Sequence, residues 1–317
     1  MSALSVPAMQ GYLRKSISSF NQNKLNGLLA EISLREYLRQ LGFQDRTSPG
    51  GWIGRREGPG IFGHTTAVFF PEVVQPGFEY PSGRELPRPT LGLHTICSTF
   101  HQSGIASFYC AATVDNDDDP SSLNWHAIQL GLPAEQPYVP FLDAAASLNF
   151  RRRERAYNFL RYKTETDSIP ALAIPEEFSK EHLRVTFQTG FFSEISDIDG
   201  IFWGQQHTYP LEIKEKTPAP SRDLGPYFGL DVGPFVKLAF YAAKRGNLHS
   251  IFVVREIDSP ETRNVVGWWF VTFDHMAQFA SWVQQGGGKT MTGGVSSVVR
   301  IPKAEFQELN AASLAAL

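Results

Sequence analysis

Two short runs near residue 200 constrain this chain more than any other feature. The first is Ile198-Asp199-Gly200-Ile201-Phe202-Trp203, and the second is Thr208-Tyr209-Pro210-Leu211-Glu212-Ile213-Lys214-Glu215. Successive side chains of a strand point to opposite faces of its sheet. Glu212 and Lys214 therefore share one face, and Leu211 and Ile213 share the other. The polar stretch Gly204-Gln205-Gln206-His207 supplies a turn, so 198–203 and 208–215 are predicted to pair as a hairpin. Folding the hairpin brings Asp199 beside Glu212, so that two carboxylates and one ammonium converge.

That donor set has a definite chemistry. Carboxylates suit Mg²⁺, a hard cation that takes oxygen ligands and keeps several waters. Such an ion polarises a phosphoryl oxygen and acidifies a bound water. Lys214 is placed to orient the water or to face charge on a phosphate. Its own proton affinity is set by two opposed effects, burial lowering it and neighbouring carboxylates raising it. The other reading is a surface hairpin with ordinary solvated charges.

The rest of the chain reads as a mixed α/β protein. Leu25, Leu28, Leu29, Ile32, Leu38 and Leu41 recur near helical spacing, which predicts a helix over 24–41 that stops at Gly42. A Gly- and Pro-rich stretch follows over 47–89, punctuated by a strand at 65–70. Strands are expected over 91–114, clearest at 105–114, and again over 125–130. The Arg-rich run 144–163 reads as a helix. Toward the C-terminal side the expected order is strand 183–187, the hairpin, helix 232–244, strands 248–255 and 265–273, and a helix over 276–284 capped by Asp274. With 42% apolar residues a sizeable core is available. A net charge of −3 does not suggest a generally basic coat, although a local basic groove is compatible with it. The two cysteines, Cys97 and Cys110, form no CxxC pair, which excludes a thiolate zinc site, and both are expected to be buried thiols. No signal-like leader or membrane-length apolar run is present, so a cytoplasmic protein, in a prokaryotic cell, is expected.

The hairpin with its D…E-x-K pattern resembles the PD-(D/E)XK nuclease superfamily, which includes many type II restriction endonucleases. Asp199 matches the first acidic position, and Glu212-Ile213-Lys214 matches the E-x-K. The resemblance implies Mg²⁺ held by Asp199 and Glu212 with help from the backbone carbonyl of Ile213, and Lys214 as a catalytic lysine. It also implies attack of water on a phosphodiester, leaving 5′-phosphate and 3′-hydroxyl ends. An acidic residue on an early helix fits the same pattern; Glu31 takes that place, with Glu36 as the alternative. Ile198, rather than proline, precedes the aspartate. The helix after the E-x-K strand carries Lys237, placed to approach a phosphate.

The implied fold is a restriction-endonuclease-like mixed central sheet flanked by helices, with a β-rich insertion. The expected division is 1–45 as a helical part of the core, 46–182 as an insertion suited to recognising DNA, and 183–317 as the nuclease core. The implied partner is double-stranded DNA, and cutting both strands favours a homodimer. A repair, recombination or phage-defence nuclease, or a non-catalytic DNA-binding protein, stands as the alternative.

Weaker signals surround this centre. Arg151, Arg152 and Arg155 are expected to form a helical basic stripe that reaches phosphates. Asp197 reads either as a turn residue or as a further carboxylate near the site. His94, His101, His126 and His207 lack metal-ligand spacing, and His207 is expected to be exposed in the turn. One of Trp268 and Trp269 should be core. Gly286-Gly287-Gly288-Lys289-Thr290 only superficially suggests a phosphate loop, since the first glycine required by that motif would fall at Val283.

Overall fold

The alternating apolar residues of the C-terminal half fold into a sheet buried on both faces. In the computed structural model, residues 4–16, 22–55, 66–77, 85–115, 119–132, 136–148, 150–152, 165–192, 194–244, 246–286 and 295–317 are described. The chain divides into two compact units. One comprises 1–29 and 49–198, and the other comprises 30–48 and 199–317.

The second unit carries the predicted hairpin. Its six-stranded sheet runs in the order Thr47–Ser48, Gly200–Trp203, Thr208–Lys216, Ile251–Ile257, Val265–Thr272, Gln307–Glu308. The hairpin pairs antiparallel, with Gly200 opposite Leu211 and Trp203 opposite Thr208. Thr208–Lys216 pairs parallel with Ile251–Ile257, and the remaining pairs are antiparallel. The parallel pair needs a crossover, which is made by strand Tyr227–Asp231 and helix Val232–Ala242. Tyr227–Asp231 itself joins a smaller antiparallel sheet with Val295–Pro302 and Ser281–Gly286.

Alternation decides which residues meet which layer. Leu211, Ile213, Ile251, Val253, Trp268 and Phe270 pack on one face against Ala30, Leu34 and Leu38, the second half of helix Gln22–Gln40. Phe252, Val254 and Val271 pack on the other face against Leu238, Phe228, Leu230 and Met276. Each fully buried side chain of this kind contributes about 1.5–3 kcal/mol by leaving water. Two apolar faces on one strand leave no place for a charge without partners, and Glu212 and Lys214 lie on the second of them.

The first unit has its own six-stranded sheet, in the order Val139–Pro140, Leu123–Leu130, Ala106–Val114, Thr66–Pro71, Gly51–Arg55, Glu194–Ile198. Phe69, Phe141, Phe150, Phe187 and Phe191 pack ring against ring in its core. His182 is buried there and accepts a 2.9 Å hydrogen bond at Nδ1 from Trp125 Nε1. Burial pushes its pKa down to about 4, so the ring is neutral and able to accept.

Four expectations are corrected here. The strand expected over 183–187 lies within helix Ile174–Gly190. Pro175 sits at the helix start, where its missing N–H costs nothing, and Ile174, Phe178, Leu183 and Phe187 bury at helical spacing. This helix belongs to the first unit, and the second unit resumes at 199. The strand expected over 91–114 is divided. Leu91–Gln102 is a helix started by Thr90, whose side chain accepts from the Leu93 amide, and only Ala106–Val114 is strand. The Arg-rich helix over 144–163 is instead a short helix Phe141–Ser147 followed by strand Arg151–Arg152, while 153–164 lie outside the described residues. The helix expected over 276–284 is Phe273–Phe279, preceded by Thr272 rather than capped by Asp274, and Ser281–Gly286 is strand.

Candidate functional site

Asp199 stands at the last position before strand Gly200–Trp203, and the hairpin register carries it next to Glu212. Each residue is only 2% exposed. The Ile213 amide donates to Asp199 Oδ2 at 2.8 Å, which fixes the carboxylate on the E-x-K strand. Lys214 Nζ lies 2.6 Å from Glu212 Oε1 and 3.9 Å from Asp199 Oδ2. The ammonium therefore faces both carboxylates, and the solvated-hairpin reading fails on the burial of the acids.

The second oxygen of Glu212 is also engaged, because Lys237 Nζ approaches Oε2 at 2.5 Å. Lys237 comes from helix Val232–Ala242, which lies across the same face. Burial pushes the Glu212 carboxyl up, but the ammoniums of Lys214 and Lys237 outweigh it and hold the group at about 2. For Lys214, burial favours the neutral amine. Glu212 and Asp199 reverse that and raise its affinity for the proton above the ordinary lysine range. Lys214 is thus an ammonium in this arrangement, a fixed cation rather than a proton acceptor.

Glu31 reaches the centre from helix Gln22–Gln40. It is 8% exposed, and its carboxylate comes within 4.8 Å of that of Asp199. Two oxygens spanning one Mg²⁺ at about 2.0–2.1 Å each lie up to about 4 Å apart. An all-oxygen pair at close to this separation suits a hard cation. Glu212 stands outside that carboxylate group; its two oxygens face Lys214 and Lys237, so a cation shared with it must take the place of a lysine ammonium. Glu36, the alternative to Glu31, instead points to Arg39 and Gln40 on the exposed side of the helix.

The other expected residues are distributed as follows. Ile213 contributes its amide to Asp199, and its side chain is core. Lys237, expected at a phosphate, holds Glu212. Arg151 and Arg152 lie on a strand of the first unit paired with Phe192 and Phe191, not on a helical stripe, and Arg155 lies outside the described residues. Asp197 is not a turn residue; it lies within strand Glu194–Ile198, opposite Trp52. His207 is half-buried rather than exposed, its ring 5.4 Å from that of His249. Trp268 is core as expected, whereas Trp269 donates from Nε1 to Glu256 at 2.6 Å. Residues 287–290 of the glycine-rich run lie outside the described residues.

Three contacts were missed at the sequence level. Glu215, on the face opposite Glu212, is held by Arg255 and by Arg263 at 2.9 Å. Glu256 is held by Lys303 at 2.6 Å in addition to Trp269. The Lys237 contact with Glu212 is the third. Partners so distant along the chain leave no local pattern, although strand alternation does give the face of each acid.

No protein-family model, curated protein or solved structure matches this chain. Among the described residues, no helix is long and apolar enough to cross a membrane.

Proposed function

We propose that this chain is a divalent-metal-dependent phosphodiesterase of the PD-(D/E)XK type that cleaves double-stranded DNA. Within that class, a sequence-specific type II restriction endonuclease with a restriction-endonuclease-like core is the particular reading. The observation that carries it is the Lys214 ammonium set between Asp199 and Glu212, with Asp199 tied to the Ile213 amide.

Asp199, Glu31 and Glu212 are the residues that would hold Mg²⁺, with the Ile213 carbonyl as the backbone ligand the resemblance implies. When bound, the ion supplies Lewis acidity toward a phosphoryl oxygen and toward water. The chain's own contribution is positioning and charge. Asp199 and Glu212 are buried and pre-oriented, so they need little reorganisation on binding. Lys214 keeps its proton and presents positive charge where a phosphate gains negative charge. Lys237 neutralises Glu212 at Oε2 and would have to yield that oxygen to a bound cation.

A second reading has its own support. Both Glu212 oxygens already face lysine ammoniums, a balanced cluster that a non-catalytic DNA-binding protein could keep without metal. Purified protein incubated with mixed plasmid DNA, with Mg²⁺ or with EDTA, separates the readings. Discrete fragments support a restriction enzyme, a smear supports a non-specific nuclease, and both require Mg²⁺. In the nuclease reading Lys214→Ala lowers the rate about 10²–10³-fold, as loss of one transition-state charge contact does. No product with any metal, and unchanged DNA binding by Lys214→Ala, favours the non-catalytic protein. A homodimer is the expected assembly, and sedimentation velocity of the full chain tests it.

A further inference from the structure

Among the described residues, Lys216 is a cation left without a close carboxylate when the charges around the E-x-K strand are matched. It is half-buried on Thr208–Lys216, on the same face as Glu212 and Lys214. The carboxylates near it are already taken. Glu212 is held by Lys214 and Lys237. Glu256, directly across from Lys216 in the parallel pair, is held by Lys303 and Trp269. Glu215 points to the other face, to Arg255 and Arg263. Asp231 is exposed and acts on Lys216 only through its field. Among the described residues the Lys216 ammonium makes no ion pair or hydrogen bond. Burial lowers its affinity for the proton, as expected of a cation that lacks a close counterion.

We infer that Lys216 is a phosphate-binding residue, taking the backbone phosphate that neighbours the one at Lys214. This rests on the nuclease reading and deepens it by naming a second anion position. The two lysines start about 6.7 Å apart along the strand, comparable with the spacing of successive phosphates on one nucleic-acid strand. A phosphate supplies the counterion that the protein withholds.

The arrangement has a double signature. Removing the charge weakens DNA binding and at the same time removes a burial cost, so Lys216→Met binds less well yet is more heat-stable than its parent. The measurement is binding of a DNA duplex across a salt series to the full chain carrying Asp199→Asn, with and without Lys216→Met, in EDTA so that nothing is cut. Lys216→Met is expected to weaken binding about tenfold and to reduce the slope of log K against log salt by about 0.9, the share of one phosphate contact. Lys216→Arg retains both. Affinity within twofold of the parent with an unchanged slope overturns the inference while leaving the nuclease reading intact. Weaker binding accompanied by a lower melting temperature also overturns it, since that marks Lys216 as structural. If the Asp199→Asn chain with Lys216 present does not bind duplex at all, the DNA-directed reading itself fails, and the inference with it.

Discussion

Replacing Glu212 by Gln tests the charge cluster directly. The substitution keeps the shape of the side chain and removes one negative charge at a site only 2% exposed. Two ammoniums, Lys214 at 2.6 Å and Lys237 at 2.5 Å, then lose their common counterion. Removing one partner from a buried ion pair costs about 3–5 kcal/mol, because the remaining charge is stranded. With a urea slope of about 1–3 kcal/mol per molar for a domain, the midpoint falls by about 1–5 M. Urea titration followed by tryptophan fluorescence reads this, since Trp268 and Trp269 lie in the same sheet. The matching triple variant, Glu212→Leu with Lys214→Met and Lys237→Met, leaves no stranded charge and recovers most of the loss. A change below about 1 kcal/mol in Glu212→Gln would falsify the claim that these groups are desolvated and mutually neutralised.

Acid should act through the same carboxylate. The Glu212 carboxyl is held below its ordinary value of 4.5, at about 2, so its contribution is complete above pH 4.5 and is lost as pH falls toward 2. The loss is on the order of 3 kcal/mol, and a pH series of urea midpoints should show it in the parent chain and not in Glu212→Gln. Mg²⁺ at about 100 times its dissociation constant should add about 2.7 kcal/mol of stability, read as a rise in melting temperature. Asp199→Asn should abolish that rise, and a rise that persists would place the ion elsewhere. Leu34→Ala, which empties a core position between helix Gln22–Gln40 and the sheet, should cost about 2–5 kcal/mol in the same urea assay. Cys97 and Cys110 are both fully buried, and burial raises both thiols; a thiol reagent should label neither until the chain unfolds.

The centre was legible in the sequence because it is local. Alternation alone put Glu212 and Lys214 on one face and Ile213 on the other, and a short turn brought Asp199 across. Lys237 was recognisable as a cation on the following helix, but its target was not, because the crossover sets which sheet face that helix covers. The misread segments share one cause. Leu183, Val185 and Phe187 alternate like a strand, yet Pro175 opens a helix whose apolar residues recur at 174, 178, 183 and 187. Over a short window both periods fit, and packing decides between them. The same ambiguity hid the helix that buries Ile96, Cys97 and Phe100. The division into units was not readable, because it depends on which strands pair across more than 100 residues, such as Gly51–Arg55 with Glu194–Ile198.

The strand Thr208–Lys216 is gripped from both sides, with Glu215 clamped by arginines on one face and Glu212 by lysines on the other. Its tolerance is therefore one of parity. Inserting a single residue after Tyr209 would send both acids into the wrong layer and leave Leu211 where a carboxylate belongs. Inserting two would restore every orientation while lengthening the ribbon. Odd and even changes in length at this point should have opposite fates, whatever residues are used to make them.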